Sequence, residues 1–296
     1  MTVTSLLVAT TIDEAVEAMA QGARPVAGGT DLVVGARQGK AALPDRLVAI
    51  HRLEELAGIA SRDGSIAIGA LTTHATIAAD PLVLERLTAL ADASAIVGSH
   101  ATRAWGTIGG NVMHASPAME TGGPLVCFDA SASLRSRSGT RSVPFADLFT
   151  GPGATIADKN ELLVGLEVPV PRAGTGSCYL RLEYRRQMEI AVVGVTAVAS
   201  VDGERVTDAR VAITALAPTV RRVPEAEVAL ASGDAEGAAA AVAAAAAPIS
   251  DVRASDRYRR AMAAVIARRA MDVAVARARG DVVPIPANQR YWGSGR

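Results

Sequence analysis

Two short stretches of small residues carry the chemistry that this sequence offers. The first reads Ala27-Gly28-Gly29-Thr30-Asp31 and the second reads Thr107-Ile108-Gly109-Gly110-Asn111. Adjacent glycines adopt backbone angles that other residues avoid, and they let consecutive amide N–H groups converge on an anion. The threonine and asparagine side chains add hydrogen-bonding groups suited to phosphate or ribose oxygens. The two turns therefore predict one ligand with a pyrophosphate group, held from two sides.

The spacing of the glycines leaves a plainer interpretation open at this point. A lone Gly-Gly pair is usually only a turn, and neither stretch has the spacing of a P-loop or of the dinucleotide fingerprint. In the same way, His74 either packs a turn or contacts a ligand, and His100 is interpreted as an ordinary loop residue.

The elements that must position the first turn form a small βαββ-like unit. Residues 5–9 are a strand candidate, and Thr11 with Glu14 forms a capping box that starts a helix. Residues 24–27 form the strand that leads into the first turn. Asp31 is expected to cap the next helix, which would place a pyrophosphate near the positive helix end.

The remaining chain divides at a segment rich in proline and glycine, residues 169–176. We expect an α+β fold: a two-subdomain nucleotide-binding half, with the small βαββ unit and a larger mixed α/β unit, then a C-terminal domain. That domain should hold a three-stranded antiparallel sheet and a helix bundle. The expected boundaries are residues 1–57, 58–172 and 173–296.

Composition excludes several classes of function. Thirty Lys and Arg residues balance thirty Asp and Glu residues among the 296, so no net field attracts nucleic acid or an anionic membrane. Only Cys127 and Cys178 are present, too few to hold a [2Fe–2S] cluster, which needs four ligands. With neither a signal peptide nor a transmembrane segment recognisable, a cytoplasmic location is expected.

No catalytic or metal-binding arrangement is recognisable in the sequence. We find no Ser/His/Asp order typical of a triad and no His, Cys or carboxylate spacing typical of a metal site. Such a chain is consistent with chemistry that belongs to a cofactor, for which the protein supplies binding and orientation. FAD fits, because it has a pyrophosphate and an isoalloxazine ring that needs an apolar slot.

Five blocks in the right order carry a resemblance to a known family. Besides the two turns, these are residues 68–75 (IGALTTHA), 115–120 (ASPAME), and Tyr179-Leu180-Arg181 followed by residues 185–194 (RRQMEIAVVG). Over residues 3 to 280 the chain resembles the FAD-binding medium subunit of the molybdenum hydroxylases, the xanthine dehydrogenase and carbon monoxide dehydrogenase family.

The resemblance implies a set of cofactor-binding positions. Glu120 stands where the family has an aspartate at the adenosine end of FAD, and Arg181 where it has a lysine near the isoalloxazine. Val97 and Leu163 stand at positions that pack beside the cofactor. The full set is Val26, Ala27, Gly28, Gly29, Thr30, Asp31, Leu32, Thr72, His74, Val97, Gly106, Thr107, Ile108, Gly109, Gly110, Asn111, Ser116, Glu120, Leu163, Arg181 and Ile190.

The resemblance also implies a function and partners. A large molybdenum-cofactor subunit would oxidise the substrate, and a small subunit with [2Fe–2S] clusters would pass the electrons on. This chain would transfer them through FAD to NAD⁺, O₂ or a quinone, within a dimer of heterotrimers. Tyr291 and Trp292 could dock on a partner subunit. The alternatives are a self-sufficient FAD-dependent oxidase or reductase with its own substrate pocket, and a non-enzymatic assembly protein.

Overall fold

A small three-stranded sheet opens the structure, a computed structural model that describes residues 3–39 and 41–291. Its strands are parallel in the order β1-β3-β2. The hydroxyl of Thr11 caps α1 by accepting from Glu14 N at 3.1 Å, and the Glu14 carboxylate accepts from Thr10 N at 2.8 Å. The elements are β1 (Ser5–Val8), α1 (Ile12–Ala20), β2 (Arg24–Val26), α2 (Thr30–Arg37) and β3 (Arg46–Ala49).

A second unit has a five-stranded sheet in the order β4-β5-β10-β6-β7, in which all pairs are antiparallel. Six short helices follow β5, and a two-stranded sheet of β8 and β9 precedes β10. The elements are β4 (Ile59–Arg62), β5 (Ser65–Gly69), α3 (His74–Ala79), α4 (Pro81–Arg86), α5 (Thr88–Ile96), α6 (His100–Trp105), α7 (Ile108–His114), α8 (Gly122–Cys127), β6 (Ser131–Ser136), β7 (Gly139–Pro144), β8 (Phe149–Gly151), β9 (Ala154–Thr155) and β10 (Leu162–Pro169).

The third unit is an antiparallel sheet covered by helices. Its strand order is β11-β12-β13-β14, so the sheet has the three expected strands and a fourth strand of two residues. The elements are β11 (Thr175–Leu182), β12 (Val193–Asp202), β13 (Arg205–Thr214), β14 (Arg221–Arg222), α9 (Pro224–Ala231), α10 (Ala235–Ala245) and α11 (Asp256–Ala278). The mixed α+β class expected from the sequence is confirmed.

The second and third units share a hydrophobic core. The buried cluster of the five-stranded sheet and its helices also includes Tyr179, Val198, Ala212 and Val220, which belong to the C-terminal half. A separate cluster lies between the C-terminal sheet and helices α9 to α11. The shared core fixes the C-terminal sheet against the helices that follow β5.

Arginines of the β6–β7 hairpin join the second unit to the first. In the structure, Arg135 pairs with Asp13 of α1 at 3.1 Å, and Arg137 pairs with Glu17 of the same helix. These contacts place α1 against the hairpin.

The C-terminal tail folds back onto the molecule. Ala287–Tyr291 forms a 3-10 helix in which Ala287 and Asn288 are buried. Arg269 lies over the Tyr291 ring at 4.8 Å from its centroid, while Trp292 lies outside the described residues. Among helices of the described residues, none has both the length and the apolar character needed to span a membrane.

Candidate cofactor site

The two glycines of the first turn satisfy different requirements. Gly29 has φ +68°, a left-handed conformation that side chains rarely adopt, and it forms the N-cap of α2. At position 28 only glycine fits, because a Cβ atom there would lie 1.8 Å from the carbonyl oxygen of Trp105. Any larger residue at position 28 would push the first turn away from α6.

The backbone amides of the first turn point to an anion site. The N–H groups of residues 28 to 32 donate to no acceptor within the described chain, and the first helical bond is Val33 N to Gly29 O at 2.9 Å. Unpaired amides at a helix N-terminus, together with the helix dipole, form a binding site for phosphate. Asp31 lies in the first turn of α2, so its predicted capping role is wrong: the cap is Gly29, without a side-chain bond.

The amides of the second turn are used within the protein. Thr107 caps α7 by accepting from Gly110 N at 3.1 Å. Ile108 N donates to Thr72 O and Gly109 N donates to Ala70 O, both at 2.9 Å. The expected anion nest is therefore wrong for this turn, which can offer a ligand side chains and a close approach at exposed Gly110.

The second turn packs tightly on the chain that follows β5. A Cβ at Gly109 would lie 2.7 Å from Ala70 O and 2.8 Å from Ala70 Cβ. Thr73 and Thr107 form an isolated antiparallel bridge, and His74 N donates to Gly106 O at 3.0 Å. These contacts require glycine at position 109 and fix the start of α7.

The two turns lie side by side, as their chemistry predicted. The Trp105 carbonyl contacts Gly28, and a Cβ at Gly106 would lie 3.6 Å from the Thr30 hydroxyl. The turns are therefore brought together by α6, whose last residue is Trp105 and whose C-cap is Gly106. Ligand groups at the first turn would also meet the segment that precedes the second.

His74 is a buried, neutral imidazole beside this junction. Its side chain is 2% exposed and its Nδ1 atom has no partner in the described structure. Burial, reinforced by the charge of Arg103, lowers the pKa of His74 to about 4. Its Cδ2 atom lies 3.5 Å from where a Cβ of Gly106 would be. The ring thus lies beside Gly106, the residue that also borders Thr30 of the first turn.

Other predicted residues have structural partners. The hydroxyl of Thr72 donates to Gly58 O and accepts from Gly58 N, each at 3.0 Å. Ser116 accepts from Ala118 N at 3.2 Å, and Asn111 Oδ1 accepts from the Thr121 hydroxyl at 2.6 Å. The side-chain oxygens of these residues are therefore already used within the fold.

Glu120 and Arg181 form a buried ion pair. Arg181 Nη1 donates to Glu120 Oε1 at 2.7 Å, and Arg181 Nε donates to Glu183 Oε2 at 2.7 Å. The Arg181 side chain is fully buried, and its Nη2 atom has no partner among the described residues. Burial raises the pKa of Glu120, an effect that the positive charge of Arg181 opposes.

This pair corrects the roles that the resemblance implied for the two residues. Groups in direct contact cannot serve opposite ends of an extended FAD molecule. The Arg181 guanidinium has no exposed surface, so it contacts the Glu120 carboxylate and not the solvent. What the structure shows of Arg181 is its bond to the carboxylate of Glu120.

The apolar candidates differ in exposure. Leu163 is 3% exposed and belongs to the core of the second unit, whereas Ile190 is 47% exposed in the loop after β11. Val97 is half-buried at the end of α5. Val26 and Leu32 flank the first turn and are half-buried.

Two residues near the site were missed by the sequence analysis. Arg103 is buried, and it donates to Val97 O at 2.9 Å and contacts His100 Nδ1 at 3.1 Å. Trp105 is 68% exposed although its carbonyl contacts Gly28. Trp105 is one of two tryptophans in a chain with 3% aromatic residues, and this rarity was the one available signal.

Comparison with known proteins agrees with this geometry. The family model described as the FAD binding domain in molybdopterin dehydrogenase matches residues 2–171. A second, described as the CO dehydrogenase flavoprotein C-terminal domain, matches residues 179–274. The carbon monoxide dehydrogenase medium chain of Hydrogenophaga pseudoflava is 32% identical over 241 residues, 80% of this chain and 84% of that relative.

A second relative and two solved structures extend the comparison. A putative xanthine dehydrogenase FAD-binding subunit of Escherichia coli K12 is 31% identical over 74% of this chain and 76% of its own length. Carbon monoxide dehydrogenase of H. pseudoflava superposes with a TM-score of 0.88 at 32% identity, over 92% of this chain and 97% of that chain. Quinoline 2-oxidoreductase of Pseudomonas putida 86 superposes with a TM-score of 0.87 at 27% identity, over 93% of this chain and 97% of that chain.

The open amides at residues 28 to 32 and the glycines that admit a close approach fit the FAD that this family binds. The matched models span both halves of the chain, and the relatives match along most of their length. The chain belongs to the molybdenum hydroxylase family as its FAD-binding medium subunit, an oxidoreductase subunit whose relatives work beside a molybdenum-cofactor subunit.

Proposed function

We propose that this chain is the electron-transfer subunit of a molybdenum hydroxylase complex. It holds FAD between two partners: a small subunit with [2Fe–2S] clusters that delivers electrons, and an acceptor such as NAD⁺, O₂ or a quinone. Substrate oxidation takes place on the large molybdenum subunit. The complex is proposed to be a dimer of heterotrimers and to be cytoplasmic.

One observation carries the proposal. The amides of residues 28 to 32 have no acceptor within the described protein, and they lie at the N-terminus of α2. An FAD pyrophosphate satisfies both the amides and the positive helix end. When bound, FAD supplies chemistry that exchanges electrons either singly or in pairs.

The first turn is proposed to bind the pyrophosphate through its amides and the Thr30 hydroxyl. His74 and Gly106 border that group, and exposed Gly110 with half-buried Asn111 line the side of the second turn. Thr107, Ile108 and Gly109 hold that side in place through their bonds to residues 70 to 72. Val97, Leu163 and Ile190 are proposed to lie nearer the ring of the flavin.

The domain division at residues 1–57, 58–172 and 173–296 is part of the proposal. It is supported by three separate sheets, one in each segment, apart from the small β8–β9 pair. In this arrangement the first turn belongs to one subdomain and the second turn to the next. The cofactor would then lie between the two.

The described chain offers no cluster of three or more His, Cys, Asp or Glu side chains that could hold a metal ion.

One cavity of about 580 Å³ lies in the C-terminal half, lined by residues of β13, the α9–α10 connection and α11, including Val206, Leu230 and Met271. The residues of the two turns do not line it. It therefore gives no support to a substrate pocket over the flavin.

The proposal is tested by purifying the chain alone and with its neighbouring subunits. We expect about one FAD per chain in both preparations, and iron–sulfur absorption bands only with the partners. Substrate should bleach the flavin band only in the assembled complex. If the chain alone turns over a substrate, it is a self-sufficient oxidase; if neither preparation contains FAD, the proposal fails.

A further inference from the structure

β11 is an edge strand whose open side is closed by residues from elsewhere. Unpaired N–H and C=O groups of an edge strand need such partners or a cover. Tyr179 N donates to Asp92 Oδ2 at 3.2 Å, and Arg181 O accepts from Asn288 Nδ2 at 2.9 Å. The outer edge of β11 is thus held by α5 and by the C-terminal tail.

The tail segment of residues 284–291, here called the strap, is fixed at several points. Arg277 Nη2 donates to Pro284 O at 3.0 Å, and Ala287 N donates to Asp92 Oδ1 at 2.8 Å. Ala287 is fully buried and Asn288 is 5% exposed. The strap lies beyond residues 179–274, which the C-terminal family model matches.

A chain of polar contacts runs from the strap to the second turn. Asn288 holds the backbone oxygen of Arg181, and Arg181 Nη1 donates to Glu120 at 2.7 Å. The next residue, Thr121, donates to Asn111 Oδ1 at 2.6 Å. Asn111 belongs to the turn that lies beside the first turn. Every contact in this path is made by a buried or half-buried side chain.

We propose that Asn288 is a positioning residue for the cofactor site, acting through Arg181 and Glu120 on the second turn. This inference rests on the proposed function for its cofactor readout. The strap holds β11 in the position from which the Arg181 side chain reaches Glu120. Glu120 in turn keeps residues 115 to 121 against α7, where Asn111 projects.

The unpaired atoms along this path support a positioning role. Asn288 Oδ1 and Arg181 Nη2 are buried without partners in the part of the chain that the structure describes. Unpaired buried polar atoms are costly, and an apolar strap would avoid the one on Asn288. Asn288 makes one side-chain bond, to Arg181 O, and only a residue with a side-chain donor at position 288 can make it.

The test compares Asn288→Ala with Gln289→Ala, a control that alters an exposed side chain of the same strap. Hydrogen exchange is measured on the full chain without cofactor, in the peptide covering residues 178 to 184. Exchange there should rise at least tenfold in Asn288→Ala and stay unchanged in the control. Asn288→Ser serves as a milder second variant if Asn288→Ala folds poorly.

The dissociation constant for FAD is the second readout. Losing one buried hydrogen bond of about 1.4 kcal/mol corresponds to roughly tenfold weaker binding. Combined with Glu120→Gln, the loss should be smaller than the product of the two separate losses, because both variants break one path.

Each other outcome is decisive. Unchanged exchange in both Asn288 variants overturns the strap as a support for β11. Raised exchange with unchanged FAD affinity, or losses that multiply independently, overturns the positioning role. If the unaltered chain binds no FAD, the proposed function fails, and the exchange comparison still decides whether the strap holds β11.

Discussion

At the residue scale, the site depends on glycines whose neighbours are backbone atoms. A side chain can turn away from a clash, but the Trp105 carbonyl opposite Gly28 belongs to the end of α6 and cannot move alone. The same argument applies to Gly109 against Ala70. Each glycine therefore constrains the distance between two segments, and through it the shape of the cofactor site.

Replacing Gly28 by alanine should abolish retention of FAD. The added Cβ would lie 1.8 Å from Trp105 O, so the first turn must shift and its amides lose their alignment. Gly35→Ala is the matched control in α2, the helix that follows the first turn, where a Cβ would meet nothing within 4 Å. That variant should keep FAD and gain up to about 1 kcal/mol of stability. FAD released per purified chain measures both; retention by Gly28→Ala at the level of the control contradicts the account.

His74 should make the protein less stable in acid. Its folded-state pKa of about 4 lies below the ordinary 6.5, so the unfolded chain takes up a proton that the folded chain refuses. Stability is lost as the pH falls from 6.5 towards 4, by roughly 3 kcal/mol in all.

Urea unfolding at several pH values checks this prediction with His74→Gln, which removes the titrating group. The variant should show a smaller loss of unfolding free energy between pH 6.5 and 4 than the unaltered chain. Replacing the exposed His114 in the same way should leave the loss unchanged. Equal losses in all three proteins would sink the explanation.

Sequence reasoning identified the two turns and their juxtaposition, but could not tell which turn has free amides. That depends on Ala70 and Thr72, whose carbonyls accept from the second turn. The local sequence around Gly109 does not predict these acceptors, because Ala70 and Thr72 follow β5, which is distant in the sequence. In the first turn, by contrast, no carbonyl of the residues that the structure describes accepts from the amides of residues 28 to 32.

At the element scale, β11 connects the cofactor site to the C-terminal half. Arg181 lies on this strand, and the loop after it contacts the segment before α6 through Met188 N and Gly98 O at 2.9 Å. The sequence predicted the three-stranded antiparallel sheet and the helix bundle of the C-terminal domain. It missed β14 and the strap, which have no periodic pattern and exist through tertiary contacts alone.

Glu120→Gln should destabilise the fold and the site together. Removing the charge leaves the buried guanidinium of Arg181 paired with the Glu183 carboxylate but not with a carboxylate at position 120. Breaking a buried ion pair costs about 3 to 5 kcal/mol. Glu204→Gln is the control, because the Glu204–Arg279 pair is exposed and such pairs contribute about 0 to 1 kcal/mol. Urea unfolding compares the two; similar small losses would mean that the buried pair does not support the segment.

At the scale of the whole molecule, one carboxylate ties the two halves together. Asp92 of α5 is fully buried and accepts from Tyr179 N, from Ala287 N and from both terminal nitrogens of Arg277. Burial raises the pKa of Asp92, and the bonds from Arg277 oppose that rise. The cofactor half, the C-terminal sheet and the strap therefore meet at one side chain.

Asp92→Asn should loosen this junction. An amide cannot accept with both of its terminal atoms, so at least one of the four donors loses its partner, at a cost of roughly 3 kcal/mol. Scanning calorimetry should show a lower melting temperature and an earlier transition of the C-terminal half. The exposed Asp281→Asn should melt like the unaltered chain; an unchanged Asp92→Asn transition would contradict the role of the junction.

The central claim is that the free amides of the first turn hold the cofactor, and a crystal structure of this chain with FAD tests it most directly. We predict pyrophosphate oxygens about 2.7 to 3.2 Å from at least two amide nitrogens among residues 28 to 32. The amides of Ile108, Gly109 and Gly110 should keep their bonds within the protein. A pyrophosphate held by those second-turn amides, with residues 28 to 32 left without contact to it, would contradict the account.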